Sequence, residues 1–205
     1  KENEGFYREP GGAPANVAVG LSKLGVNSGF MGKIGDDAFG NFLKQTLIEN
    51  NVDVTNMVQT SEAMTTLAFV SLHSDGEREF AFYRNPGADQ LYRTTEVDFS
   101  YINNINIFHF GSISLIEEPV KTTTLDLIKY AKKHNVITSY DPNLRPPLWN
   151  SLDQAKNVIT NTLQYADILK LNEEEVKFLT GINIANYEIN EKKQKFKKLA
   201  KAGKY

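Results

Sequence analysis

The stretch Gly11–Gly25, GGAPANVAVGLSKLG, carries the first pattern that could do chemistry. The paired Gly11 and Gly12 let a ligand approach the backbone, and the helical pattern behind them holds Asn16 beside amide groups that lack partners inside the helix. Backbone N–H groups and one side-chain amide can bind a polar ligand there. The stretch is neither a G-x-G-x-x-G dinucleotide motif nor a P-loop. A tight strand-to-helix turn with Asn16 as a local cap fits equally well, so both interpretations stay open.

A second chemical group is Asp141–Arg145, DPNLR, which directly follows a strand-like run at 136–140. It places a carboxylate, an amide and a guanidinium within five residues, and Pro142 stiffens the turn. Arg145 can bind a phosphate through two N–H groups or pair with Asp141. We favour the phosphate; the alternative is a turn with an aspartate cap and a structural ion pair.

A third group, KLNEEE, begins at Lys170 one predicted strand further along the chain. Asn172 and Glu175 are three residues apart in the first turn of a helix, so they can share one face. An amide and a carboxylate there suit a hydrated Mg²⁺ beside phosphates. An ordinary acidic N-cap that complements the helix dipole is the alternative, and this motif alone favours it.

Elements that alternate between strand and helix must position the second and third groups. Apolar periodicity predicts strands at 105–110, 136–140 and 168–171 and helices at 119–133, 152–165 and 173–179. This alternation indicates a parallel sheet with helices on both faces. Ligands bind outside the carboxyl ends of such strands, which selects residues 111–112, 141–145 and 172–175.

The first half of the chain has a different texture. We expect a helix over Ala15–Leu24 with Val17, Leu21 and Leu24 on one face, and a buried strand over 28–34. Asp36 or Asp37 can cap the next helix. Two strand-like runs, 65–73 and 77–84, flank Ser-Asp-Gly and predict a hairpin whose second strand alternates Phe80, Phe82 and Arg84 against Ala81 and Tyr83.

Composition narrows the class of protein. The 205 residues carry 23 Lys and Arg against 25 Asp and Glu, a net charge of −2, so we expect no nucleic-acid partner. The absence of cysteine excludes disulfides and thiol catalysis. No apolar run approaches the length of a membrane span and no signal peptide is visible, so we expect a cytoplasmic enzyme without a membrane partner. The three histidines show no ligand-like spacing, and Trp149 is expected to serve packing.

Four motifs in order resemble the ribokinase-like (pfkB-type) carbohydrate kinase family, and within it the fructokinases. They are GGAPANVAVGLSKLG, GKIGDDAFG at 32–40, SYDPNLRPPLW at 139–149 and ADILKLNEEEVKFLTG at 166–181. The resemblance implies an α/β fold, a ribokinase-like three-layer sandwich with a mainly parallel sheet plus a small β-sheet lid. Residues 11–64 and 85–205 would form the core domain, and residues 5–10 and 65–84 the lid.

The resemblance also implies roles for individual residues. Gly12 and Asn16 would bind sugar hydroxyls, with Gly11 allowing close approach, while Phe82 and Arg84 of the lid would supply an apolar wall and a polar contact. On the phosphate side, Asp141 and Arg145 would sit between sugar and phosphates, with Arg145 the catalytic group of this chain. Lys170, Asn172 and Glu175 would bind ATP, and Glu175 would reach Mg²⁺ through water. We expect both sides to converge on one cleft.

Two departures from the family pattern matter. The printed sequence has neither the opening strand with its sugar-binding aspartate nor the Gly-Ala-Gly-Asp segment that supplies the anion hole and the base. We therefore expect material to be missing at both ends and residues 1–205 alone to be close to inactive, because a base and an anion hole supply most of the acceleration. Another sugar or riboside kinase, or a non-catalytic protein that binds a sugar or a partner, are the alternatives. An unpaired lid edge predicts a possible homodimer.

Overall fold

The structure, a computed structural model, describes residues 5–72 and 78–184. These residues fall into two compact units that divide after Val97. The predicted turn of the hairpin at 74–76 and the basic stretch at 192–204 lie outside the described residues.

The first unit pairs its strands in three two-stranded sheets. Its elements are α1 (Ala13–Lys23), β1 (Ser28–Gly29), β2 (Gly32–Gly35), α2 (Ala38–Glu49), β3 (Val52–Asp53), β4 (Met57–Thr60), β5 (Leu67–Leu72) and β6 (Arg78–Tyr83). Two pairings are parallel, β1 with β3 and β2 with β4, and the third, β5 with β6, is antiparallel.

Helix α1 begins two residues earlier than expected, and its buried face differs from the apolar face read in the sequence. Val17 and Leu21 are 36% and 40% exposed and Leu24 is 81% exposed. Ala18 is buried instead, in a cluster with residues such as Ile34. Small side chains on this face let the helix approach the strands closely, which an apolar count along the sequence does not reveal.

Helix α2 begins at a carboxylate cap. The Oδ1 atom of Asp37 accepts hydrogen bonds from the backbone N–H groups of Phe39 and Gly40 at 2.9 and 2.8 Å, so Asp37 is the cap among the two candidates. Its Oδ2 accepts from the N–H of Thr65 at 2.7 Å, just before β5. Burial raises the pKa of Asp37, but the hydrogen bonds from Thr65, Gly40 and Phe39 outweigh it and hold the pKa below its ordinary value.

The predicted hairpin forms from β5 and β6, with Leu67 opposite Tyr83. Phe80 and Phe82 lie on one face with their rings 6.0 Å apart, as the alternation predicts. On the other face the Phe69 ring meets that of Tyr83 at 5.3 Å and that of Phe6 at 5.0 Å. The segment at 5–10 therefore contacts the hairpin through an aromatic pair.

The second unit confirms the alternation of strand and helix. Its elements are β7 (Ile107–Phe110), α3 (Val120–Lys133), β8 (Ile137–Tyr140), α4 (Leu152–Leu163), β9 (Ile168–Leu169) and α5 (Glu173–Thr180). The strands form a parallel sheet in the order β7-β8-β9, and helices α3 and α4 connect consecutive strands.

Helices α3, α4 and α5 cover one face of this sheet. Phe110 and Tyr140 point into a core that the helices complete with Ile128, Ile159 and Leu179, and Trp149 packs there as expected. The side chains that alternate to the opposite face are less covered; those of Ile107 and Ile137 are 50% and 44% exposed. Of the two helical layers expected from the sequence, the described residues of this unit supply one.

Asp167 joins helix α3 to strand β8 at the start of β9. Its Oδ1 accepts from Lys132 Nζ at 2.6 Å, and its Oδ2 accepts from the backbone N–H and the hydroxyl of Thr138, each at 2.9 Å. The ammonium of Lys132 and the two donors of Thr138 lower the pKa of Asp167 from 3.8 to about 2. The ionised carboxylate is therefore the form that stabilises this junction.

This linkage predicts a pH-dependent loss of stability in Asp167→Asn. A lowered folded-state pKa gives stability that is complete above the unfolded pKa of 3.8 and is lost as the pH falls toward about 2. The free energy of unfolding of wild type should exceed that of the variant at pH 7, and the difference should shrink below pH 4 in urea titrations. Asp36→Asn, at an exposed carboxylate without a hydrogen bond among the described residues, is the control. A difference that stays constant down to pH 2.5 would contradict the linkage.

Candidate functional site

The charged groups predicted at the strand ends meet in the second unit. Backbone bonds extend the sheet one residue past each strand: Asp141 N–H donates to Phe110 O at 3.1 Å and Lys170 N–H donates to Tyr140 O at 3.0 Å. Lys170 Nζ lies 3.1 Å from Asp141 Oδ2 as a result. Because the carboxyl ends of parallel strands meet at one edge, two motifs far apart in sequence form one ion pair.

The loop after β8 is held by its own side chains. Asp141 Oδ1 accepts from the N–H of Asn143 at 3.2 Å, and Asn143 adopts a left-handed φ of 46° that asparagine tolerates better than most residues. The Pro142 carbonyl accepts from the N–H and the hydroxyl of the buried Ser112 at 3.1 and 2.6 Å. The loop is therefore tied to the end of β7 as well.

Glu175 is the buried centre of this edge, with only 4% of the residue exposed. Its Oε2 accepts from Asn172 N–H at 2.9 Å while Asn172 Oδ1 accepts from Glu175 N–H at 2.8 Å, which is a capping box. Its Oε1 accepts from Leu144 N–H at 2.8 Å. The capping interpretation thus describes these contacts, and the same carboxylate also fixes the loop that carries Asp141 and Arg145.

Arg145 does not pair with Asp141, so the ion pair expected between these two residues is wrong, although Asp141 does cap its turn and does form an ion pair with another cation. Its Nη1 donates to the carbonyl of neighbouring Leu144 at 3.1 Å, and no carboxylate of the described residues lies within 4 Å of its guanidinium. Asp141 is bound by Lys170 instead. A part-buried guanidinium without an anion is suited to bind one.

Two groups at this edge were not singled out from the sequence. Tyr140 is fully buried and its hydroxyl has no hydrogen-bond partner among the described residues; burial, with the nearby Glu175 and Asp141 carboxylates, raises the pKa of Tyr140. His109 Nδ1 lies 3.0 Å from the Ser139 hydroxyl. Burial lowers the pKa of His109, partly offset by Asp141. The sequence signal that could have identified His109 and Tyr140 was their position in the last two residues of the predicted strands at 105–110 and 136–140.

In the first unit, the glycine corner consists of Gly11 and Gly12 with Asn16 in the first turn of α1, and it contains polar groups that have no hydrogen-bond partner among the described residues. Gly12 is the N-cap of α1, with a φ of 101° that suits glycine, and it offers no side chain to the helix. Asn16 N–H donates to Gly12 O at 2.9 Å, but the exposed Asn16 side chain makes no hydrogen bond with described residues. Asn16 is therefore not the local cap considered from the sequence, and its amide is available to a ligand. Gly11 is likewise exposed.

The lid residues differ in their surroundings. Phe82 is half-buried on the hairpin, next to Phe80. The Arg84 side chain is only 6% exposed, and its Nε and Nη2 donate to Asp89 Oδ2 at 3.0 and 2.6 Å. The sequence indicated Arg84 as a polar contact but gave no sign that Asp89 binds it. That Phe82 and Arg84 converge on one cleft with the charged residues at the strand ends of the second unit stays a prediction.

The donor set at the strand ends fits Mg²⁺ only in hydrated form. No group of three or more His, Asp or Glu side chains in the described residues could hold a metal ion. Mg²⁺ usually keeps several waters and takes one or two carboxylates plus substrate phosphates, which this edge can accommodate. Both Glu175 oxygens already accept backbone N–H groups, so its burial suits contact through water rather than direct coordination.

A parallel sheet with crossover helices and charged side chains at its carboxyl ends is typical of α/β proteins, a class in which ligands bind at that edge. The model of the pfkB family carbohydrate kinases matches residues 1–204, and the chain belongs to this family. Within the described residues, no helix is both long and apolar enough to cross a membrane.

Relatives and solved structures agree with this family. The chain is 53% identical over 175 residues to probable fructokinase-6, chloroplastic, of Arabidopsis thaliana, covering 85% of this chain and 46% of that protein. It is 49% identical to fructokinase-1 of Zea mays, covering 89% and 56%. The chain thus spans about half the length of the curated relatives it matches.

The fold class is confirmed by solved structures. A fructokinase from Xylella fastidiosa with bound ATP superposes with a TM-score of 0.79 at 39% identity, over 83% of this chain and 52% of that one. A Vibrio cholerae fructokinase in a form with bound fructose, ADP and calcium gives 0.79 at 31% identity, over 95% and 61%. The described chain is therefore part of a ribokinase-like fold.

Glu175→Gln should destabilise the protein by about 1–3 kcal/mol, because an amide NH₂ would face a backbone N–H that now donates to a carboxylate oxygen. Denaturant unfolding of both proteins measures the loss. Glu174→Gln, an exposed change in the same helical turn, is the matched control. Equal unfolding midpoints for the two variants would show that the Glu175 contacts contribute nothing.

Proposed function

We propose that the full-length protein transfers the γ-phosphoryl group of ATP to a primary hydroxyl of a sugar, with fructose the favoured substrate. The observation that carries the proposal is Arg145, a guanidinium without a carboxylate partner in the described residues, beside the Asp141–Lys170 pair at the sheet edge. Relatives named fructokinases and a fructokinase structure with bound ATP support this reaction.

The sugar side is proposed to consist of the glycine corner and the lid. Gly11 and Gly12 give access to the backbone, and the Asn16 amide, unused within the described chain, binds a sugar hydroxyl. Phe82 forms an apolar wall and Arg84 a polar contact. In this proposal residues 5–10 and 65–84 form the lid over a core of residues 11–64 and 85–205, and closure excludes water that would compete as the acceptor.

The phosphate side is proposed to act through charge. Arg145 binds the transferred phosphoryl group and stabilises the charge that spreads over its oxygens in the transition state. Asp141 lies between sugar and phosphates and holds Lys170 for the nucleotide, while Glu175 fixes the loop of Arg145 and, with Asn172, the start of α5. This arrangement positions reactants and neutralises charge, which is most of what phosphoryl transfer requires.

Mg²⁺, when bound, neutralises phosphate charge, and Glu175 would hold it through water. The base that takes the proton from the sugar hydroxyl is not among the residues assigned here. The family resemblance puts it in a Gly-Ala-Gly-Asp segment, which residues 1–205 do not contain. Activity is therefore to be measured on the full-length protein. A cytoplasmic location remains a prediction from the sequence.

Arg145→Ala in the full-length protein should lower kcat/KM for fructose roughly 10²–10³-fold, because charge that develops on the phosphoryl group loses its partner. ADP release measured with fructose, ribose and an aminoimidazole riboside ranks the substrates. Lys156→Ala, at an exposed site on α4, is the control and should leave the rate unchanged. If kcat/KM is higher for a riboside than for fructose, the substrate assigned to the enzyme changes from fructose to the riboside. If no sugar gives an ATP-dependent product, the result favours a non-catalytic binding protein.

We also propose a homodimer through the hairpin. Strands β5 and β6 form a two-stranded sheet, so each has one edge unpaired within the described residues. Their cross-strand pair Val70 and Phe80 is 49% and 39% exposed. Unpaired apolar strands favour association.

If this is correct, light scattering should give the full-length protein twice its chain mass, and Val70→Lys should shift it to the monomer by placing a charge in the apolar contact. Lys156→Glu, outside the hairpin, should leave the mass unchanged. A monomeric wild type at micromolar concentration would rule the dimer out.

A further inference from the structure

The root of the hairpin carries a carboxylate that the proposed reaction does not use. Asp89 lies in a 3₁₀ helix at Ala88–Leu91, five residues after Arg84. Its Oδ2 accepts from Arg84 Nε and Nη2 at 3.0 and 2.6 Å, immediately after β6 ends. Its Oδ1 accepts from the hydroxyl of Thr66, immediately before β5 begins. One carboxylate thus binds both strands of the hairpin where they leave the rest of the unit.

The backbone around Asp89 is shaped for this contact. A Cβ on Gly87 would lie 2.7 Å from Asp89 Oδ1 and 3.1 Å from Arg84 Cγ, and would also strike the Thr66 hydroxyl. Glycine is therefore the residue that lets these three side chains meet. Gly87 N–H donates to Gln90 Oε1 at 2.8 Å and Ala88 N–H donates to Met64 O at 2.9 Å, so the segment is pinned on both sides of the contact.

The segment carrying Asp89 is also attached to the parallel strands of its unit. Lys33, on β2, has a fully buried side chain whose Nζ donates to Leu91 O at 3.2 Å and to Glu96 Oε1 at 2.6 Å. Thr65, next to Thr66, donates its N–H to Asp37. Lys33 therefore ties the segment that carries Asp89 to β2, and Asp89 ties that segment to the hairpin, while Thr65 gives the hairpin a separate contact with the cap of α2.

At the root of the hairpin, the positive charge of Arg84 is balanced by the carboxylate of Asp89. The Arg84 side chain is 6% exposed and its two donors reach one oxygen of Asp89, so removal of the carboxylate would leave a nearly buried cation unpaired. With the carboxylate present, two hydrogen bonds restrain the Arg84 guanidinium. A side chain fixed in this way can present a polar contact without losing rotamer entropy when a ligand binds.

We propose that Asp89 is a positioning residue for the sugar site: it fixes Arg84 and clamps both strands of the hairpin to the parallel strands of the unit, so that the hairpin meets the sugar preorganised. This inference rests on the proposed function for its kinetic consequence. Its structural half, the clamp, stands without it.

The test uses Asp89→Asn in the full-length protein. The variant should raise the KM for the sugar about tenfold or more, with the KM for ATP changed less than about twofold, because the lost contacts order the sugar side alone. Asp89→Glu should restore part of the affinity. Because Asp89 acts partly through Arg84 and partly through Thr66, the double variant with Arg84→Ala should raise the KM for the sugar by less than the product of the two single effects.

Hydrogen exchange of the β5 and β6 amides gives a second measurement that needs no activity. Exchange should be faster in Asp89→Asn and in Gly87→Ala, which disturbs the same contact without a change of charge. Glu49→Gln is the control, since it removes an exposed carboxylate at the end of α2 that accepts from Gln45 and contacts neither hairpin strand nor Lys33. Its hairpin exchange should equal that of wild type.

The outcomes separate the two proposals. If wild type phosphorylates no sugar but Asp89→Asn speeds hairpin exchange, the proposed function fails and the clamp stands. If wild type is active and Asp89→Asn changes neither exchange nor the KM for sugar, the positioning role is overturned. Faster exchange with an unchanged KM in an active enzyme overturns it as well, because the clamp then has no effect on the sugar.

Discussion

The proposed phosphate side depends on one buried carboxylate that binds two separate segments of the chain. Glu175 accepts backbone hydrogen bonds from Asn172, at the start of α5, and from Leu144, in the loop after β8. A buried charge needs such donors, because without them its desolvation is not compensated. The same bonds fix the distance between the loop of Arg145 and the end of β9, which carries Lys170. The hydrogen bonds that compensate the burial of Glu175 therefore also hold the segments that carry Arg145 and Lys170 next to each other.

The first unit uses carboxylates in the same way at the root of its hairpin. Asp37 caps α2 and also binds the N–H of Thr65, while Asp89 binds the hydroxyl of Thr66. Two adjacent threonines thus attach β5 to two different segments. An isolated two-stranded hairpin is marginally stable in water, so these tethers explain how such an element keeps a defined position.

Local patterns in the sequence predicted the elements of the second unit and the hairpin, but not contacts between distant elements. The single strand expected over 28–34 was wrong, because β1 and β2 pair with different strands in separate sheets. The strands and helices of the second unit follow from apolar periodicity, and the Asp37 cap from its place before a helical run. The partner of Arg84 could not be predicted, because it depends on the path of the chain after β6. The burial of Ala18 could not be predicted for a similar reason: packing of Ala18 against strands depends on register that a single helix does not encode.

The two arginines of the proposed site show why side-chain partners matter more than residue types. Arg84 gives two donors to Asp89 and is nearly buried, so it contributes little net positive charge at the hairpin root. Arg145 contacts only a neighbouring carbonyl, so its charge is uncompensated among the described residues. The guanidinium of Arg145 thus remains open to an anionic ligand, whereas that of Arg84 is already paired with Asp89. This difference fits the proposed division between a phosphate side and a sugar side.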